Sequence, residues 1–84
     1  MTEEQQKLVD QINKNLHEGI VEFTYKKKDG STRNARGTLV EDLLPEASKD
    51  DPRKTTNHDT CVYYYDLDLD GWRAFLKENL MSIK

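Results

Sequence analysis

Two Asp-Gly dipeptides, Asp29-Gly30 and Asp70-Gly71, each lie between runs in which apolar and polar residues alternate. This arrangement constrains the fold more than any other feature of the sequence. Asp-Gly suits the positive φ angles of tight hairpin turns, and alternation gives a strand one buried face. Before the first dipeptide, Val21, Phe23 and Tyr25 alternate with Glu22, Thr24 and Lys26. After it, a return strand from Thr32 to Val40 would turn Ala35, Gly37 and Leu39 inward, with Gly37 marking a bend or bulge. Around the second dipeptide, Cys61 to Leu67 is rich in strand-forming residues and Trp72 to Leu76 returns. "KENL" then reads as one helical turn leading into a short last strand, Leu80 to Ile83.

The segment ahead of these strands has a different period. In "TEEQQKLVDQINKNLHEG", Leu8, Val9, Ile12 and Leu16 form one stripe on a helix over residues 2–18. Thr2 is the expected N-cap with Gln5 three residues on, Glu3 and Glu4 suit the helix dipole, and Gly19 is the expected stop. Leu43 and Leu44 are expected to cover one end of the sheet. Residues 46–60 carry Pro52, charges of both signs and otherwise no apolar side chain larger than Ala47, and read as a solvated, mobile loop. With 84 residues and 35% hydrophobic content, the chain supports one domain, residues 1–84, with a small core.

Thirteen basic residues against sixteen acidic ones leave a net charge of −3, which disfavours tight non-specific duplex binding. The longest apolar runs span only a few residues, against the roughly 20 needed to cross a bilayer. The acidic, polar N-terminus is unlike a signal peptide. One cysteine, Cys61, cannot form an internal disulfide. A cytoplasmic protein with no membrane partner is therefore expected.

The stretch "DLDLDG" mimics the first half of a calcium loop, with Asp66, Asp68, Asp70 and Gly71 at ligand and glycine positions. The second half fails. Lys77 stands where the bidentate glutamate belongs, and Arg73 replaces the usual aliphatic residue. Tyr63 to Tyr65 also favour a strand over an incoming helix. The stretch is therefore expected to belong to a hairpin, its half-buried strand setting Tyr65, Leu67 and Leu69 against an acidic outer face of Asp66, Asp68 and Asp70. His17, His58 and Cys61 do not assemble a metal site or a rigid thiol–imidazole pair. No catalytic residue, metal or cofactor is expected.

A group of aromatic and basic residues falls on the expected strands and turns: Tyr25, Lys26 to Lys28, Arg33, Arg36, Tyr63 to Tyr65, Trp72 and Arg73. Rings beside cations serve single-stranded nucleic acid and nucleotides through stacking and phosphate contact. The plainer reading makes Tyr63, Tyr65, Trp72 and Phe75 packing residues beneath a solvated basic face. Ligand contact is expected at Tyr25, Arg33, Arg36, Tyr65, Trp72 and Arg73.

"VEFTYKKKDGSTRNARGTL" followed by "VYYYDLDLDGWRAFLKENLMSI" resembles the WYL-type domain, above all its small stand-alone members, often encoded by phages and prophages. The resemblance covers residues 20–83. It implies a five-stranded SH3/Sm-like barrel, here mainly β with an N-terminal helix. It also implies a nucleic-acid-like or nucleotide ligand, with Tyr25, Arg36, Tyr65 and Arg73 at the matching positions. Thr60, Cys61 and Val62 stand where the name-giving Trp-Tyr-Leu would fall, and Leu76 where a basic residue is expected. The leading expectation is a non-enzymatic binding module for single-stranded nucleic acid or a nucleotide-like ligand. The alternative is a phage protein–protein module that modulates a host protein through the acidic strand, or that pairs with its own copies through edge strands.

Overall fold

The computed structural model describes residues 2–46, 49 and 59–84. Most of the loop expected at 46–60, and His58 with it, therefore lies outside the described residues. Helix α1 (Glu3–Glu18) precedes strands β1 (Val21–Lys26), β2 (Thr32–Thr38), β3 (Cys61–Asp66), β4 (Gly71–Leu76) and β5 (Leu80–Ile83). Short 3₁₀ turns lie at Glu41–Leu43 and Lys77–Asn79. The strands form one antiparallel sheet in the order β4-β3-β2-β1-β5, the architecture of a small Sm-like SH3 barrel.

The apolar stripe of α1 lands where its period puts it. Val9, Ile12 and Leu16 are fully buried and Leu8 packs at their margin. Against them stand Val21, Phe23, Tyr25, Ala35 and Leu39 from the first hairpin, and Val62, Tyr64, Phe75 and Leu80 from the rest of the sheet. Four rings form the centre. Phe23 meets Tyr64 edge-on at 5.0 Å, and Tyr25 stacks on Phe75 at 4.8 Å. Leu44 is buried as expected, whereas Leu43 is exposed.

The helix ends are built differently from their sequence signals. Thr2 caps α1 by accepting from the Gln5 backbone N–H at 3.1 Å. The Gln5 carboxamide does not reach back to complete a capping box. It crosses to the barrel and donates to the carbonyls of Lys77 (2.8 Å) and Leu80 (2.9 Å), tying the first turn of the helix to the start of β5. Gln5→Ala is expected to lower stability by about 1–2 kcal/mol, the net worth of two part-buried hydrogen bonds, read by urea unfolding. At the other end Gly19 is extended (φ 175°), not left-handed, and a Cβ there would meet nothing within 4 Å. Beneath it, the buried Thr38 hydroxyl donates to the Gly19 carbonyl at 2.9 Å and accepts from the Val40 N–H at 3.0 Å, docking the helix end on β2.

Both Asp-Gly turns differ from the expected form. In the first, only Gly30 takes a positive φ (92°), and its N–H closes the turn on the Lys27 carbonyl at 3.0 Å. Asp29 accepts from the Ser31 N–H at 3.0 Å and from its hydroxyl, and these bonds hold the Asp29 carboxyl below its ordinary pKa. In the second, the strand stops at Asp66 and the turn runs over Leu67 to Asp70, where Asp70 itself is left-handed (φ 51°). The expected hairpin is present, but its first arm ends at Asp66 and Leu67 to Asp70 form the turn. Leu69 lies exposed and Asp66 is fully buried, the reverse of the expected alternation. Gly37 is in register with Val21 and Asp66 and carries no bulge; the irregularity lies between Thr24 and Tyr25, where β1 meets β5.

Candidate functional site

The six residues expected to contact a ligand do not form one surface. Three are built into the barrel. Tyr25 is 5% exposed and its hydroxyl meets that of Tyr64 at 2.9 Å in the core. Tyr65 is buried against Trp72, edge-on at 5.7 Å, and its hydroxyl donates to Asp70. Arg33, at the far end of β2, reaches Asp66 at 2.6 Å.

Asp66 is the hub that the sequence did not reveal. Besides the guanidinium of Arg33, it accepts the Tyr64 hydroxyl at 3.3 Å and the backbone N–H groups of Asp68 (2.9 Å) and Leu69 (3.0 Å). Burial alone would raise its pKa. Arg33 together with the N–H groups of Leu69 and Asp68 outweighs that and holds the carboxyl below its ordinary value. Burial, with the Tyr25 hydroxyl bond next, pushes the Tyr64 phenol up, and the bond to Asp66 pushes Arg33 up. All three therefore keep their ordinary charge states at neutral pH: an ion pair with a phenol attached. This cluster fixes β2 to the β3–β4 turn. It does not present chemistry to solvent.

The other carboxylates of "DLDLDG" are also engaged. Asp68 pairs with Arg36 at 3.3 Å, both half exposed, and Asp70 accepts from Tyr65. Among the described residues, no group of three or more histidine, cysteine, aspartate or glutamate side chains could hold a metal ion. The three carboxylates of this stretch thus make contacts within the turn and with β2 and β3 beside it.

Arg73 lies elsewhere, in a cleft of about 510 Å³ between the β1–β2 turn and edge strand β4. Lys26 at the end of β1 and Lys27, Lys28 and Asp29 of the turn line one side, Arg73 to Leu76 of β4 the other, and Cys61, Tyr63 and Asn79 stand between them. All four cationic side chains are exposed. The buried edges of Tyr25 and Phe75 form the floor, and the half-buried Tyr63 stands at one wall. The volume falls within the range of sites for small ligands, which are apolar with a few convergent polar groups. Arg36 lines separate polar grooves beside Glu22 and Lys84. Of the six expected residues, then, only Tyr25 and Arg73 touch the cleft. The triple-lysine turn, present in the wider aromatic–basic group, contributes more to it than the arginines of β2. Asn79 enters through the 3₁₀ turn before β5, and nothing in its sequence context marks it.

A family model described as WYL_2, with an Sm-like SH3 beta-barrel fold, matches residues 9–81. The chain belongs to the WYL_2 family. This WYL_2 domain is also similar to an "uncharacterized 11.5 kDa protein in Gp31-cd intergenic region" of Enterobacteria phage T4, with 27% identity over 86 aligned positions. That alignment covers 99% of the present chain and 84% of the phage protein. No solved structure matches the WYL_2 domain. Among its described residues, no helix is long and apolar enough to cross a membrane.

Proposed function

We propose that this domain is a non-enzymatic binding module, phage-encoded like its relative, that takes single-stranded nucleic acid or a nucleotide-like ligand in the cleft between the β1–β2 turn and β4. The observation that carries this reading is the convergence of Lys26, Lys27, Lys28 and Arg73 around an aromatic floor. Cations on two separate elements supply phosphate contact beside the aromatic floor. An overall charge of −3 leaves the attraction local to this cleft. Work in the host cytoplasm fits such a ligand.

Titration of a labelled single-stranded oligonucleotide at low salt, followed by anisotropy, tests the reading. Saturable binding is expected, weakened about tenfold in Lys27→Glu and in Arg73→Ala, because each removes a charge-assisted phosphate contact. Arg36→Ala, away from the cleft, should leave binding unchanged. A flat titration with both DNA and RNA, together with no calorimetric binding of nucleoside monophosphates, would remove the proposal.

One observation favours a protein partner instead. Strand β4 ends the sheet, whereas the opposite edge, β5, has its first carbonyl occupied by Gln5. A strand edge of this kind accepts another strand, from a host protein or a second copy of the chain. The acidic stretch is a poor surface for that purpose, because Asp66, Asp68 and Asp70 are already bound to Arg33, Arg36 and Tyr65.

A further inference from the structure

If the protein-partner reading above holds, the cleft also indicates what kind of strand β4 accepts. Its lining takes in Arg73, Ala74, Phe75 and Leu76, four successive residues whose side chains alternate between the two faces of β4. A cavity lined in this way meets the strand at its edge. A second cavity of about 460 Å³ adjoins it along Lys26 to Gly30, Leu76 and Asn79, so the path is elongated.

The hydrogen-bonding ladder identifies the backbone groups on that edge. The Lys77 N–H bonds to the Thr60 carbonyl at 2.9 Å, which makes these two a hydrogen-bonded pair. In the register that follows, Phe75 and Val62 pair in the same way, whereas Leu76 opposite Cys61 and Ala74 opposite Tyr63 take the alternate positions. Ala74 and Leu76 therefore turn their N–H and C=O groups away from β3. Among the described residues, no strand pairs with that side of β4. Ala74 is exposed and small, which lets a second backbone approach.

We infer that β4 takes up an acidic segment of a partner protein as a sixth strand. Main-chain bonds to Ala74 and Leu76 would hold it, and its alternate side chains would select it. Lys26, Lys27 and Lys28 stand across the cleft from β4, which itself contributes Arg73. Asp29 lines the same cleft, but its carboxylate is turned onto the Ser31 N–H and hydroxyl. The local balance is positive, and carboxylates at alternate positions of the incoming strand complement it. A second copy entering by its own β4 would set a like cluster of lysines and Arg73 against this one, which opposes self-pairing.

Calorimetric titration with the capped peptide Thr-Glu-Val-Glu-Val-Glu-Val-Thr tests this, beside a peptide with lysine for each glutamate. Two further forms are N-methylated on one or the other set of alternate amides. The glutamate peptide is expected to bind, with amide shifts centred on Ala74, Leu76 and the three lysines, and the lysine peptide to fail. One methylated form should lose at least about tenfold in affinity and the other keep it, because only one set of amides can face β4. Lys27→Glu should weaken the glutamate peptide about tenfold. Equal binding of both methylated forms would overturn the inference, since charge alone would then explain the contact. No binding of the glutamate peptide would also overturn it. A concentration-dependent dimer in sedimentation equilibrium, abolished by Ala74→Pro, would in that case keep the strand-edge reading for a second copy, and saturable oligonucleotide binding would keep the nucleic-acid reading.

Discussion

Asp66→Ala is expected to destabilise the domain by about 3 kcal/mol, the low end for breaking a buried ion pair, since Arg33 retains 24% exposure. The loss has two parts. Arg33 is left without its carboxylate, and the N–H groups of Asp68 and Leu69 lose the acceptor that shapes the β3–β4 turn. Urea unfolding measures the effect, and Asp68→Ala is the internal comparison. Its half-exposed pair with Arg36 should contribute no more than about 0.5 kcal/mol. An Asp66→Ala variant as stable as the parent would show that the hub is ornamental.

The same residue sets a pH dependence. Its folded pKa is lowered, so its contribution is fully present above the ordinary carboxylate value near 3.8. It is lost as pH falls below that value and through the lower folded pKa. Asp66→Asn should therefore unfold with a shallower acid dependence below about pH 4 than the parent. Equal acid slopes in the two proteins would contradict this assignment.

Gly37→Ala is expected to cost about 2–3 kcal/mol by overpacking. A methyl group there would overlap the Tyr64 ring and stand 2.9 Å from the Tyr65 carbonyl oxygen. Neither neighbour has room to retreat: Tyr64 is fully buried among Phe23, Tyr25 and Phe75, and the carbonyl belongs to a paired strand. Gly19→Ala is the contrasting substitution. Its backbone is extended and the space is open, so alanine should be neutral or stabilising by about 0.5 kcal/mol. Thermal unfolding of the pair distinguishes close packing from backbone freedom as the reason for these glycines.

Local patterns exposed most of the fold to reading from sequence. The helix stripe, the inward set Val21, Phe23 and Tyr25, the turn at Lys77–Asn79 and the last strand at Leu80–Ile83 are each fixed by spacing within a few residues. The failures share a cause: they depend on what another part of the chain does. Alternation assigned Asp66 to solvent because Asp68 and Asp70 share its parity. Its burial depends on Arg33, thirty-three positions away. For Tyr25, alternation pointed inward while its basic neighbours pointed to a ligand, and the enclosure by Tyr64 and Phe75 decides for the core. Gly37 announced a special position, but a bulge and a close ring contact give the same signal in one sequence. The cleft was half legible. The lysines and Arg73 were visible as charges, yet their convergence needs the packing of Tyr25 on Phe75, which brings β1 over β4 although two strands lie between them in the sheet.

The pairing of β1 with β5 has a consequence for how the chain comes into being. Phe23 aligns with Ile83 and Tyr25 with Leu80, while Gln5 waits for the carbonyls of Lys77 and Leu80. Nearly the whole sequence separates these partners, so the loop they close costs entropy before any contact repays it. During synthesis the first helix and hairpin emerge with their apolar faces uncovered, and the strand that completes them arrives last. The domain therefore cannot mature piecemeal during synthesis. Until residues 80–83 pair with β1, the core lacks Leu80 and β1 keeps an edge open to chaperones or to a neighbouring nascent chain.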